Sequence, residues 1–337
     1  GGLAHTNILG NTLFGSLSGS SVAASVAIGG VLIPMEEKEG YDKKFAAAVN
    51  IASAPTGLII PPSGILIIYP VLAGCSVVGM IMSGYIPGLM WALACMVVAY
   101  VIAKKNHYPT AGKVPASVFF KYFVDAIPSL LLIVIIVGGV MSGIFTATES
   151  AAVAVAYTLF LSIVVYRSIK IKDLPKILLD ACETTAVIMF LIAGSNVMSF
   201  VMSFTGLPSA IGNALISVSS NKYVILLIIN LVLLVVGCFM DITPAVLIFT
   251  PIFLPVVQSF GMDPIHFGIM MVMNLGIGNI TPPVGSSLFS GCSVADMDME
   301  DMIKPILPFY AAIFVALMLV AYVPWFSMAL PTLFGAV

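Results

Sequence analysis

Charge is what this sequence has least of. Only 8% of its 337 residues are Asp, Glu, Lys or Arg, while 60% are hydrophobic. A soluble domain carries about 25% charged residues, so this chain cannot cover itself with a polar surface, and a soluble fold and a nucleic-acid binder are both excluded. Cysteine is sparse: Cys75, Cys95, Cys182, Cys238 and Cys292 are scattered, odd in number and mostly inside apolar stretches, which suits packing better than disulfides or metal. His5, His107 and His266 stand alone. There is no His-Glu-x-x-His, no Gly-x-Gly-Asp and no paired nucleophile and base, so an intramembrane enzyme lacks its parts. A channel would need a continuous polar pore, whereas the polar residues gather at two places separated by apolar helices. The apolar runs do not alternate as strands of a membrane barrel would. No cleavable signal peptide is visible. The chain opens Gly1-Gly2-Leu3 without methionine, so its natural N-terminus is expected to lie further upstream.

Long apolar runs recur instead, and about 20 such residues cross a bilayer as a helix. The sequence predicts an all-α polytopic membrane protein. Helices are expected at 3–17, 21–34, 85–103, 127–144, 149–166, 177–204, 208–218, 223–239, 244–258 and 305–330. Two further stretches, 45–74 and 264–294, are broken by Pro61-Pro62 and Pro282-Pro283. Val114–Asp125 is amphipathic and reads as a helix lying on the inner membrane surface. The pairs 3–17/21–34 and 223–239/244–258 turn at Ser18-Gly19-Ser20-Ser21 and Asp241-Ile242-Thr243-Pro244. Arms of 15–17 residues reach about 23–26 Å, short for a core of about 30 Å. Each pair therefore reads as a re-entrant hairpin.

That reading makes a charge prediction. If the hairpins do not cross and the other spans do, loops 35–44, 104–126, 167–176 and 295–304 share one face. Those loops hold Lys38, Lys43, Lys44, Lys104, Lys105, Lys113, Lys121, Arg167, Lys170, Lys172, Lys176 and Lys304, twelve of the 13 Lys and Arg, with Lys222 alone opposite. Basic loops mark the cytoplasm, which puts the C-terminus in the periplasm.

A shift of 221 residues aligns 40–65 with 261–286 without gaps, at 7 identities in 26 positions. Both Pro-Pro breaks and both tips coincide, and Ser20 falls on Asp241. The topology opens the two hairpins on opposite faces, so the copies are inverted, an architecture that places transporter sites at the repeat interface. The expected organisation is a first repeat over 1–74 (hairpin 3–34, broken helix 45–74), then a scaffold span and the amphipathic segment over 75–126. Linking spans fill 127–222, a second repeat 223–294 (hairpin 223–258, broken helix 264–294), and a C-terminal scaffold span 295–337.

Unwound backbone persists in hydrocarbon only where it lines a cavity or binds something. The prolines leave upstream carbonyls free, and Gly57, Gly276 and Gly278 are expected to supply the backbone angles of the breaks. Free carbonyls suit a small cation, and half-helix N-termini suit an anion. Hydroxyls of Ser18, Ser20, Ser21, Ser53, Thr56 and Ser63 add ligands near the first break; Thr243, Asn279 and Thr281 do so near the second. Asp241, a carboxylate among apolar residues, reads as a cation ligand or as the N-cap of the helix that follows. Glu149 reads equally as an interfacial cap and as a functional residue, and Ala295–Asp301 reads as a solvated turn.

The segments Gly15-Ser-Leu-Ser-Gly-Ser-Ser-Val-Ala23, Ile33-Pro, Gly40-Tyr-Asp and Ile60-Pro-Pro-Ser63 are similar to those of a known family. So are Gly143-Ile-Phe-Thr-Ala-Thr-Glu-Ser-Ala-Ala152, Phe239-Met-Asp-Ile-Thr-Pro244, Pro251-Ile-Phe-Leu-Pro255 and Asn279-Ile-Thr-Pro-Pro-Val-Gly285. Over its whole length the chain resembles the large membrane (M, DctM-like) subunit of tripartite ATP-independent periplasmic (TRAP) transporters. It departs at Ala147, where proline is usual, and at Ala24-Ser25, where some members carry an acidic residue. The resemblance implies an elevator-type ion-transporter fold in a bacterial inner membrane, driven by two or more Na⁺. It implies a small four-helix (Q) subunit, a periplasmic binding protein (P) and a carboxylate substrate such as a C4-dicarboxylate, sialic acid or another sugar acid. One Na⁺ is expected among Ser18, Ser20, Ser53, Thr56 and Gly57, and a second among Asp241, Thr243, Gly276, Gly278 and Asn279. The substrate is expected at Ser18, Ser20, Ser21 and Ser63, with Ser286 and Ser287 across the repeat axis. A proton-coupled carrier of the same fold, using Asp241, is the alternative.

Overall fold

The architecture comes from a computed structural model that describes residues 1–109, 115–139, 144–219 and 221–336. Lys113, Val114 and part of the expected 127–144 helix lie outside the described residues. Helix is the only regular structure among the described residues. Six helical segments are long and apolar enough to cross a membrane: Val77–Lys105, Thr148–Val165, Ile171–Met202, Lys222–Phe239, Ile242–Ser259 and Met299–Tyr322. The chain is a multi-pass membrane protein. Both arms of the expected second hairpin are among the six and those of the first are not, so length and composition do not mark the second pair as re-entrant.

The chain divides into two compact units, Gly1–Ala111 with Val201–Val337, and Gly112–Phe200. The first begins with α1 (Gly2–Ser18) and α2 (Ser21–Lys38), folded together about Gly19 and Ser20. Gly19 takes a left-handed φ of 62° and ends α1; the Ser20 hydroxyl caps α2 by accepting from the Ala23 amide at 3.2 Å. These local rules (glycine where φ is positive, serine at the N-cap) fix the turn. Next come α3 (Lys43–Ser53), capped by Asp42, then α4 (Thr56–Ile59), an unwound segment with a cis Pro61-Pro62 bond, and α5 (Ile65–Ala73). Short α6 (Val77–Ser83) runs into α7 (Tyr85–Lys105).

In the second unit, α8 (Ala116–Ile133) passes straight into a π-helical turn at Val134–Gly138. The amphipathic segment and the following span are thus one continuous helix, not two, and Pro128 does not interrupt it. α9 (Ala147–Phe160) starts on a capping box between Thr146 and Glu149, one of the two roles read for Glu149. It continues as a π turn over Leu161–Val165. Tyr157 donates to the Pro128 carbonyl at 2.8 Å and Ser150 to that of Ile136 at 3.0 Å, joining α9 to α8 and its π turn. α10 (Leu174–Thr205) leads out of this unit.

The first unit resumes with α11 (Leu207–Val218), α12 (Lys222–Phe239), α13 (Ile242–Ser259), α14 (Pro264–Gly278), an unwound segment with a cis Pro282-Pro283 bond, and α15 (Ser286–Val294). α16 (Met299–Tyr322) and α17 (Trp325–Leu333) close the chain. The offset of 221 residues found in the sequence lays α13 on α2 and α15 on α5 end to end. It also lays the second cis bond on the first, Asp263 on Asp42 as helix N-caps, and Gly261 (φ 77°) on Gly40 (φ 86°). The two copies interlock in the core. Tyr69 of α5 donates to the Pro264 carbonyl at 2.6 Å, and its ring fills the space a side chain at Gly268 would need. Trp91 of α7 is fully buried and donates to the Ala52 carbonyl at 2.9 Å. Asp301, in the segment expected to be a solvated turn, lies in the first turn of α16 and pairs with Lys44 at 2.6 Å.

Candidate ion and substrate site

Two side-chain clusters form in the first unit, one at each Pro-Pro break, and the first hairpin tip touches both. At the first break, Gly19 of the tip lies against Ser63 and Gly64. One turn earlier Gly15 meets Gly57 backbone to backbone: a Cβ built on Gly57 would fall 2.2 Å from the Gly15 Cα. The second repeat does the same with Gly237 and Gly278, where the Cβ would fall 2.5 Å from the Gly237 Cα. Neither Gly57, Gly276 nor Gly278 has a positive φ. Their expected role in supplying unusual backbone angles is therefore corrected: Gly57 and Gly278 let two backbones touch, and Gly276 faces the Trp91 ring.

Ser18 and Ser20 sit in the tip and bond locally. Ser18 donates to the Ser20 carbonyl at 3.3 Å, and Ser20 caps α2. Ser53 and Thr56 lie deeper, against the middle of α1. Asn11 donates to the Ser53 hydroxyl at 3.0 Å, and Thr12 and Thr56 share a bond at 3.3 Å. Ser63 is different. It is 1% exposed, and its hydroxyl has no hydrogen-bond partner among the described residues. The amides of Ser63, Gly64 and Ile65, at the start of α5, likewise make no hydrogen bond to the described residues. Buried polar groups are ordinarily paired, so the Ser63 hydroxyl, next to the free amides that begin α5, leaves a place for a partner beside the tip.

At the second break the groups are mutually satisfied. Asn279 donates to Ser21 at 2.9 Å and to Ser287 at 3.1 Å, and Ser287 donates to Ser21 at 2.6 Å. Ser286 donates to the Asn279 side-chain oxygen and, at 3.5 Å, to Asp241. The amides of Val284 and Gly285 donate to the Cys238 carbonyl, and those of Ser287 and Leu288 to that of Asn279. Tyr310 reaches the Ile280 carbonyl from α16. Asp241 is exposed and occupies the N-cap position of α13, but its side chain makes no capping bond. Capping therefore does not explain its carboxylate. Thr243 follows it, half-buried, in the first turn of α13; Thr281 donates to the Ile277 carbonyl at 2.7 Å.

The structure thus joins Ser21, Asn279, Ser286, Ser287 and Asp241 in one chain of contacts, and separately places Ser63 beside the tip. Sequence reasoning missed the asparagines that support them. Asn11 is fully buried, and its amide nitrogen lies within 3.2 Å of four oxygens, those of the Asn7 side chain, the Asn50 carbonyl and side chain, and Ser53. Asn274 donates to the Asn230 carbonyl at 2.9 Å and side chain at 2.8 Å. The available signal was the Asn7-x-x-x-Asn11 spacing, which puts both amides on one face of an apolar helix.

Residues 1–326 match the family model of the tripartite ATP-independent periplasmic transporter DctM component. The chain belongs to this family. Similar curated proteins include an uncharacterized protein, YgiK, of Salmonella typhimurium, 51% identical over 336 residues, covering 99% of this chain and 77% of the relative. The C4-dicarboxylate TRAP transporter large permease protein DctM of Pseudomonas aeruginosa is 38% identical over 335 residues, 99% of this chain and 78% of its own. The sialic acid TRAP transporter large permease protein SiaM of Vibrio cholerae is 38% identical over 334 residues, again 99% and 78%. This DctM-family chain is a transporter subunit and no enzyme, and as part of a TRAP transporter it belongs to an inner membrane.

Proposed function

We propose that the chain is the carrier subunit of a Na⁺-coupled importer of a small organic carboxylate. The similarity to large permeases for C4-dicarboxylates and sialic acid supports the substrate class. The observation that carries the reading is the first break: an orphaned, buried Ser63 hydroxyl, three unengaged amides at the start of α5, and the serine tip against them. Amides at a helix N-terminus favour an anion. The only arginine, Arg167, falls on a loop read as cytoplasmic, so hydroxyls and amides rather than a guanidinium fork hold the carboxylate. Ser18, Ser20 and Ser63 are its first contacts, with Ser21, Ser286 and Ser287 on the far side.

An anion entering low dielectric needs positive charge nearby. Two Na⁺ supply it. One is held by the tip and the Ser53–Gly57 segment (Ser18, Ser20, Ser53, Thr56, Gly57), the other by Asp241, Thr243, Gly276, Gly278 and Asn279. The matching element boundaries and the charge pattern support inverted repeats of an elevator-type carrier with its C-terminus in the periplasm. The word tripartite in the family's description supports two partners, a small four-helix membrane subunit and a periplasmic binding protein that delivers the substrate.

The test is uptake into proteoliposomes containing both membrane subunits, supplied with the binding protein and its carboxylate. An inward Na⁺ gradient should drive uptake and a pH gradient alone should not. Replacing Ser18, Ser20 and Ser63 together by alanine should abolish uptake while the binding protein still docks. Normal uptake by the triple variant would place the substrate elsewhere.

A further inference from the structure

We propose that Glu36 binds a proton in the folded protein, making the base of the first hairpin a proton site separate from the clusters at the two breaks. Glu36 stands in the last turn of α2, two residues past Pro34, and is 0% exposed. One carboxyl oxygen, Oε2, accepts a single bond, from the Asn7 amide at 3.2 Å. The other, Oε1, is buried without any partner among the described residues. A carboxylate in such a place cannot stay charged at low cost, because a single amide replaces only a fraction of its lost hydration.

No cation answers it. The elements packed on α2 are α1, α3, α4 and α15. On α1 the titratable side chain is His5, whose Nδ1 is bonded to the Gly1 carbonyl at 2.8 Å. On α3 they are Lys43, which is half-buried, and Lys44, which is taken by Asp301. α15 carries Cys292 and α4 carries none. Tyr41, in the turn after α2, donates its amide to the Glu36 carbonyl and its hydroxyl to that of Pro109. Neighbours on α2 itself are Glu37 and Lys38. The one ion pair among the described residues is Lys44–Asp301, so Glu36 has no counter-charge among them.

Glu36 lies outside the six segments that can cross a bilayer. Burial pushes its carboxyl up to about 7, with the Asn7 hydrogen bond pulling the other way. The proton also has a route of influence. Asn7 accepts from Asn11, which reaches Asn50 and Ser53, so a continuous buried chain of amides runs from the hairpin base to the first break.

The experiment is thermal melting of the purified full chain in detergent, for the natural protein and Glu36→Gln, across a range of pH. It needs neither substrate nor transport, so the carrier reading can fail without touching it. A carboxyl whose pKa is higher folded than unfolded holds more protons in the folded state between the two values. Stability therefore falls as pH rises through that window. From about pH 5 to about pH 8 the natural protein should lose melting temperature relative to the glutamine variant, and the gap should level off at either end. Parallel curves overturn the proposal. So does a gap that follows Na⁺ at fixed pH when choline replaces it, because the occupant would then be a metal cation. If Glu36→Gln does not fold, Asn7→Ala serves. Losing the bond that favours the charged form should move the inflection of the melting curve to higher pH, and an unmoved inflection overturns the assignment.

Discussion

The glycines at the two breaks give the sharpest test at the scale of single residues. Gly57→Ala places a methyl 2.2 Å from the Gly15 backbone, where no rotamer can relieve it. Overpacking of this kind costs roughly 1–3 kcal/mol or more, so the variant should show a clear loss of melting temperature or yield. Gly276→Ala is the control: its nearest neighbour, the Trp91 ring, is 3.4 Å away, and its melting temperature should stay close to that of the natural protein. Asp241→Asn keeps the shape and removes the charge. If Asp241 ligates Na⁺, half-maximal uptake should require on the order of tenfold more Na⁺, about 1.4 kcal/mol. Melting should change little, because its side chain is exposed and makes no cap. Unchanged Na⁺ activation would remove Asp241 from the site. Asp241 drew notice in the sequence because a carboxylate among apolar residues is conspicuous. Glu36 did not, because it stands beside Glu37, Lys38 and Glu39 and looks like part of a solvated loop. Its side chain bonds to Asn7, 29 residues away, and no local pattern announces that partner.

At the scale of elements the sequence was most legible where chain chemistry is local. The turn at Ser18–Ser21 and both Pro-Pro breaks lie where the residues predict them, and the 221-residue shift carries one hairpin's boundaries onto the other's; the cap read at Asp241 does not form. Legibility failed where packing decides. The Val114–Asp125 amphipathic stretch looked like a separate surface helix, but Pro128 is accommodated inside a continuous α8. Short α6 was missed because its capping serine, Ser76, is one hydroxyl in an apolar run. The glycines were assigned to backbone angles when their service is close approach, which only the opposing Gly15 and Gly237 reveal. The topology makes its own prediction. A single cysteine at Lys170, in the segment before α10, should react with an impermeant thiol reagent from the cytoplasmic side only. Labelling from outside intact cells would reverse the second hairpin relative to the first and end the inverted-repeat reading.

For the whole molecule, family membership fixes the class of machine, while the two breaks suggest how it is coupled. Their inequality matters. The second is closed upon itself by Ser21, Asn279, Ser286 and Ser287, whereas the first leaves the Ser63 hydroxyl and three amides without acceptors. If, as proposed, the open one takes the carboxylate and Na⁺ supplies its counter-charge, the apparent affinity for carboxylate should rise with Na⁺ concentration. Titrating substrate at several fixed Na⁺ concentrations in proteoliposomes checks this; an affinity indifferent to Na⁺ would separate the two ligands. Gly19 rests on one break and Ser21, two residues on, is bonded into the other. Two residues of backbone cannot be lifted from one seat while remaining in the other, so any opening of the tip must break its contacts at both breaks together, like a clasp with two catches on one pin.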